Sequence, residues 1–226
     1  MVPAQQSVAV LIFARNSQED ALQKRIPAGT ALFDYLTEKT QRIAEKTNFA
    51  VLTSSKQRGN SFEERFIYAL EDAFKQGYEH VIAIGNDSPK LNTQHLKAAG
   101  EALENNTAVL GPSTDGGAYL IGISRQHFDP AALRALPWQK ASLFRALNHY
   151  FEARTTRVAQ LEYLVDLDSL KDIEHFIHFS VCDTHLHTLL VRLVLSKRIK
   201  RSTSSYQIPV KRTESHYNKG SPYSLS

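Results

Sequence analysis

The stretch "HVIAIGNDSPKLN", His80–Asn92, decides how the chain is read. An apolar, β-branched run enters Gly85, then Asn86, Asp87 and Pro89. Runs of this length with no polar alternation belong to strands buried on both faces. A bare carboxylate straight after such a strand raises the question of what it faces. The same pattern recurs in "SVAVLIFAR" (Ser7–Arg15), "FAVLTSS" (Phe49–Ser55), "TAVLGPS" (Thr107–Ser113) and "AYLIGIS" (Ala118–Ser124). Between them lie helical periodicities, over about Ala28–Thr47, Ser61–Gln76, Thr93–Asn105 and Gln139–Ala153, with Thr93 as an expected N-cap. Strands alternating with helices predict an α/β fold, a mostly parallel sheet with helices on both faces.

Composition sets the outer bounds. The 226 residues are 42% hydrophobic, enough for one substantial core. Lys+Arg is 27 against Asp+Glu 23, and the excess sits at the C-terminal end, so no strong global field is implied. The single cysteine, Cys182, excludes an intramolecular disulfide and fits a reducing cytosol. "VAVLIFA" is too short for a signal core or a membrane span, so a cytoplasmic protein without a transmembrane segment is expected.

In open α/β sheets, ligands sit beyond the carboxyl ends of the strands. Three segments place small or acidic residues there. "AIGNDSP" carries Asp87, and "GPSTDGGAYLIG" carries Asp115, Gly116 and Gly117, glycines that let backbone approach a ligand. "VDLDS" puts Asp166 and Asp168 on alternate residues, so both project from one face if the segment is extended. One or two carboxylates are the usual protein share of a Mg²⁺ shell completed by phosphate and water. Arg15, Lys24 and Arg25 in the first βα loop are candidates to face those phosphates. The competing readings are ordinary ones: a turn residue at Asp87, a plain turn at "DGG", and a capped helix start at "DLDSLKD".

Those same residues carry a family resemblance, running from about Val8 to Ile177. "GPSTDGGAYLIGIS", "IGNDSPKL", "LPWQKASLF", "VDLDSLKDI" and "QRGNSFEERF" resemble motifs of a bacterial GT-A-like glycosyltransferase family. That family, once filed as a domain of unknown function, includes arsenosugar-biosynthesis glycosyltransferases. Its distant relatives are the guanylyltransferases of the molybdenum cofactor and of phospholactate. The resemblance implies a GT-A, nucleotide-diphospho-sugar transferase-like three-layer fold and a Mg²⁺ or Mn²⁺ cofactor. Asp87 and Asp168 would be the metal-facing aspartates, with Asp166 assisting. Arg15, Lys24, Arg25, Gln57, Arg65, Gly116 and Gly117 would bind the nucleotide or donor, and Asp115 is the candidate general base. The departures cluster in the first loop, where "NSQEDALQKRI" replaces a glycine-containing loop followed by Lys-Thr-Arg-Leu. There Lys24 is one position off, and Glu19 and Asp20 would repel phosphate.

The expected function is transfer of a glycosyl group from a nucleotide-activated sugar to a small-molecule acceptor. The alternatives are a nucleotidyltransferase joining a nucleoside triphosphate to a phosphorylated small molecule, and a non-catalytic GT-A domain acting as a binding module. The expected division is 1–177 transferase domain, 178–199 helical extension and 200–226 disordered basic tail. Ile173–Arg198 reads as one long helix or two short ones. A solvated tail is preferred to one that contacts nucleic acid or anionic membrane. His175, His178, Cys182 and His185 share a helical face, but residues ten apart lie ~15 Å apart, too far for one metal ion.

Overall fold

The apolar runs form strands because β-branched side chains are stiff and pack well on a pleated surface. A computed structural model describes residues 7–54, 58–154 and 157–204 of the chain. Strands β1 (Val8–Ile12) and β4 (Ala108–Pro112) are buried at every residue, and β3 (His80–Ile84) at all but its first. With β2 (Ala50–Thr53), β5 (Ala118–Ser124) and β6 (Val158–Gln160) they make a six-stranded sheet in the order β2-β1-β3-β5-β4-β6. β5 alone runs against the rest: it pairs antiparallel with β3 and β4, whereas the β1–β2, β1–β3 and β4–β6 pairings are parallel.

Helices α1 (Ser17–Gln23), α2 (Thr30–Glu45), α3 (Phe62–Lys75), α4 (Thr93–Glu104), α5 (Pro130–Arg134), α6 (Leu143–Glu152), α7 (Leu170–Phe179) and α8 (Thr184–Ser204) complete the fold. Phe66, Ile67 and Leu70 of α3, with Leu147 and Phe151 of α6, cover one face of the sheet. Ala44 of α2 and Leu96, Ala99 and Leu103 of α4 cover the other. A third cluster joins Leu32, Phe33 and Leu36 of α2 to Phe176 of α7 and Leu186, Leu190 and Leu193 of α8. Burying each such side chain is worth about 1.5–3 kcal/mol, so α8 is held firmly on α2.

Several local expectations shift. Asn92, not Thr93, caps α4: its side chain accepts from the backbone N–H groups of Gln94 and His95. The expected helix from Gln139 begins instead at Leu143, because Gln139 adopts a left-handed φ of 59° that a helix cannot continue through. The segment after Ile173 is two helices, with Asp183 capping the second through the N–H of Leu186 at 2.9 Å. The boundary expected at 177 falls inside α7, and α8 runs to Ser204, past the expected end at 199. Residues 205–226 of the expected tail lie outside the described residues. Among the described residues, no helix is long and apolar enough to cross a membrane.

The sheet also explains how distant carboxylates meet. Beyond β6 the chain runs along the carboxyl ends of β4 and β3, stitched by backbone bonds. Leu161 N–H donates to Leu110 O, Leu164 N–H to Pro112 O, and Leu167 N–H to Asp87 O at 2.9 Å. This lays "VDLDS" across the end of β3.

Candidate functional site

Asp87 stands three residues past the end of β3, and Gly85 makes room for it. A Cβ at Gly85 would lie 2.9 Å from Asp87 Oδ1. Opposite, α1 is started by Asn16, whose side chain accepts from Glu19 N–H, and it ends at Lys24. The Lys24 side chain reaches across the end of the sheet. Its Nζ donates to Asp87 Oδ2 at 2.6 Å, lies 2.7 Å from Asp168 Oδ1, and donates to Leu167 O at 3.4 Å. The two aspartates thus aim at one point. The carboxylate after β3 therefore faces an ammonium and a second carboxylate.

Behind this pair, Asp166 accepts a short hydrogen bond from Ser88 Oγ. Asp20 is buried, and Asn86 Nδ2 donates to it at 3.2 Å and to Thr37 Oγ1 at 2.9 Å. Asp87, Asp166, Asp168, Asp20 and Lys24 line one charged side of a cleft of about 450 Å³. Arg15, Asp115 and Gly117 also border it. Its other side is aromatic: Phe13, Phe62, Phe66 and the edge of Trp138, a ring packed 4.9 Å from Phe66 and anchored by Nε1 donating to Leu133 O at 2.8 Å.

The charges are unbalanced. Burial alone would depress the Lys24 ammonium, but Asp87 and Asp168 more than reverse this and raise its pKa above the lysine value. Burial, with Asp87, Asp168 and Asp115 nearby, pushes Asp166 well above the usual carboxylate range despite the Ser88 bond. Asp168 is also raised, by burial first and then by Asp87 and Asp115, even with Lys24 pulling the other way. One ammonium leaves this group of carboxylates with surplus negative charge.

That surplus yields a stability prediction. A carboxylate with a raised folded-state pKa costs stability as pH rises above its unfolded value. Asp166→Asn should therefore raise the melting temperature of the ligand-free protein by a few degrees at pH 7, at ~2–4 °C per kcal/mol for a chain this size. The amide oxygen can still accept from Ser88. The gain should vanish in melting curves taken below about pH 4, where Asp166 of the unsubstituted chain is itself protonated.

The geometry suits a divalent cation of the Mg²⁺ or Mn²⁺ kind. Two carboxylate oxygens that converge on one ammonium also suit one oxygen-ligated ion, with phosphate and water completing its shell. Asp166 contributes charge from behind, since Ser88 engages its Oδ1. Among the described residues, no group of three or more His, Cys, Asp or Glu is placed to hold a metal ion, so the expected third member of the set, Asp166, does not join Asp87 and Asp168 as a ligand.

Other expected site residues are placed differently. Arg65 lines a second cavity, of about 820 Å³, with Arg15, Thr53 and Gly59, and not the aspartate cleft. Arg25 is exposed with a left-handed φ of 53° at the end of α1, and it lines none of the three described cavities. Gly116 is not in the cleft lining either; protein backbone, not ligand, fills the space its missing side chain leaves. Asp115 sets a turn: its Oδ1 accepts from Ser113 Oγ and from Gly117 N–H. Gln57 lies outside the described residues. Ser88 and Lys140 were not anticipated. Lys140 lies on the exposed rim of the cleft, in a turn with no periodicity to mark it.

A three-layer sheet with an acidic cleft at the carboxyl ends of its parallel strands defines a nucleotide-diphospho-sugar transferase-like fold. A crystal structure from Desulfovibrio desulfuricans G20, described as a candidate nucleotide-diphospho-sugar transferase, has this fold. It matches 86% of this chain and 98% of its own at a TM-score of 0.71 and 19% identity, a likeness of fold alone. The chain belongs to the bacterial family described as "Uncharacterized protein conserved in bacteria (DUF2064)", whose profile matches residues 4–140. That match includes Asp87 and Asp115 and stops short of Asp166 and Asp168. Two other structures are too distant to carry an argument. One is a cytidylyltransferase from Leptospira borgpetersenii serovar Hardjo-bovis (13% identity, 90% of this chain, 98% of that chain, TM-score 0.42). The other is the manganese complex of Rv0371C from Mycobacterium tuberculosis H37Rv (14% identity, 76% of this chain, 98% of that chain, TM-score 0.41). No curated protein matches the sequence.

Proposed function

We propose that the chain transfers a glycosyl group from a nucleotide-activated sugar to a small-molecule acceptor, with Mg²⁺ or Mn²⁺ held by Asp87 and Asp168. The observation that carries this is the meeting of those two carboxylates at a single point, inside a cleft where α/β sheets bind ligands. A cation bound there supplies neutralisation of the charge that gathers on the departing diphosphate.

The rest falls to side chains of the chain itself. Arg15 borders both cavities and can hold the diphosphate between them. In this proposal the aromatic wall of Phe62, Phe66 and Trp138 excludes water and packs the apolar face of a sugar or acceptor. Asp115 orders the β4–β5 turn through Oδ1, and its Oδ2 is the oxygen left to take a proton from an acceptor hydroxyl. As that hydroxyl oxygen bonds to the anomeric carbon, the bond from that carbon to the phosphate oxygen breaks, and its electron pair leaves with the nucleoside diphosphate.

Calorimetry with UDP- and GDP-sugars in the presence of Mn²⁺ tests this. Saturable heat with one of them is the expected result. No heat at millimolar ligand would overturn the proposal in favour of a non-catalytic binding module. Release of nucleoside diphosphate is expected in a product assay, and release of pyrophosphate would instead identify nucleotidyl transfer.

A further inference from the structure

The position of Lys24 says more than that the site is acidic. An ammonium has three N–H groups, and here all three have an acceptor: Asp87, Asp168 and Leu167 O. The side chain is only 13% exposed, and its Nζ lies 5.3 Å from the centre of the Phe33 ring. A saturated positive charge therefore stands between the two carboxylates that would bind a cation. Two positive centres cannot share that point at contact distance. A free aqua-ion would have to expel the ammonium and leave it beside Phe33 with its carboxylate acceptors taken. The neighbouring carboxylates Asp20 and Asp166 are already bonded, to Asn86 and to Ser88. A cation that arrives chelated to phosphate is different, because it brings oxygens that can accept the displaced ammonium.

We propose that Lys24 is a tethered cation that excludes free divalent metal from the Asp87–Asp168 pair, so that the site takes its metal as a chelate with a phosphorylated ligand. The inference rests on the cation reading of the cleft given above. It adds an order of binding, and it gives the displaced first-loop lysine a role as the gate of the site. A site whose competent form is held to a small fraction loses apparent affinity by that fraction.

The test uses Mn²⁺ alone, followed by the loss of the free-ion paramagnetic resonance signal, with no nucleotide present. The full-length wild-type chain should bind Mn²⁺ no tighter than millimolar. Lys24→Met should bind it at least about tenfold more tightly. Lys24→Met combined with Asp87→Asn should lose that gain, and Lys24→Arg, which keeps the charge, should stay weak. Micromolar binding by the wild-type chain overturns the proposal without any variant, and so does a Lys24→Met protein that binds no more tightly than wild type. A second arm adds UDP or GDP to the wild-type chain, and Mn²⁺ affinity should rise beyond that of the free nucleotide. If only this second arm fails, entry of the metal as a nucleotide chelate is overturned together with the nucleotide reading, and only the exclusion of free ion by Lys24 stands on the metal data.

Discussion

Asp87→Asn should abolish cation-dependent nucleotide binding and leave the ligand-free protein folded with nearly its original melting temperature. Residues that merely support a metal ligand cost about 10–100-fold in affinity when changed, so loss of one of two carboxylate ligands should cost at least ~100-fold. The expected calorimetric result is no saturable heat with any nucleotide-sugar plus Mn²⁺. The effect on the ligand-free fold is small for two opposing reasons. Lys24 gives up one charged partner at 2.6 Å but keeps Asp168 at 2.7 Å and the carbonyl of Leu167. Meanwhile Asp166 and Asp168 each lose a repelling neighbour. The structural service of Asp87, accepting from Leu167 N–H, is performed by its backbone oxygen and survives the substitution. A drop of more than about 8 °C in melting temperature, beyond 2 kcal/mol for a chain this size, would mark Asp87 as a pin of the fold, and its binding defect would then say nothing about metal.

How much of this was legible in the sequence depends on the kind of interaction involved. The five apolar runs became β1 to β5. Burial on both faces writes itself into the composition of β1, β3, β4 and β5. β2 is instead a partly exposed edge strand, against the expectation of burial, and was legible only through its apolar, β-branched run. β6 was missed: it is three residues long and partly exposed, so it carries no such signature. The reversed direction of β5 is a pairing property that its own residues do not encode. α1 is a short helix whose only local signal is Asn16 followed by Glu19 and Asp20, an N-cap with an acidic first turn; resemblance to a glycine-containing loop masks it.

The aspartates were legible as strand-end carboxylates, since their position follows from local strand and turn patterns. Their partner was not. Lys24 is 63 residues from Asp87, and its alignment with Asp168 depends on the 161–167 segment being stitched across β4 and β3. No spacing rule predicts that. The glycines show the converse failure. Both were assigned to the ligand, but only the structure distinguishes Gly117, which borders the cleft, from Gly116, which does not.

That distinction gives the second large effect. Gly116→Ala should lower stability by roughly 2–4 kcal/mol, whereas Gly117→Ala should cost no more than about 1 kcal/mol. Gly116 sits at φ +92°, a region an L-residue rarely enters, and a Cβ there would lie 2.1 Å from the carbonyl oxygen of Ala141. The obstacle is backbone, so it cannot rotate away as a side chain would. It is also fixed in place: Phe144 N–H donates to Gly116 O at 3.0 Å, tying the β4–β5 turn to the start of α6. A Cβ at Gly117 meets only Ser113 Oγ at 3.0 Å and Asp115 Oδ1 at 3.1 Å, side-chain atoms that can give way. Because Lys140, Ala141 and Leu143 border the cleft, forcing that segment outward should also weaken ligand binding in whatever Gly116→Ala protein remains folded. Thermal melts of the two variants side by side measure the contrast. Equal, small losses would mean that the contact between this turn and Ala141 is loose, and that the rim of the cleft next to it is not held by the sheet.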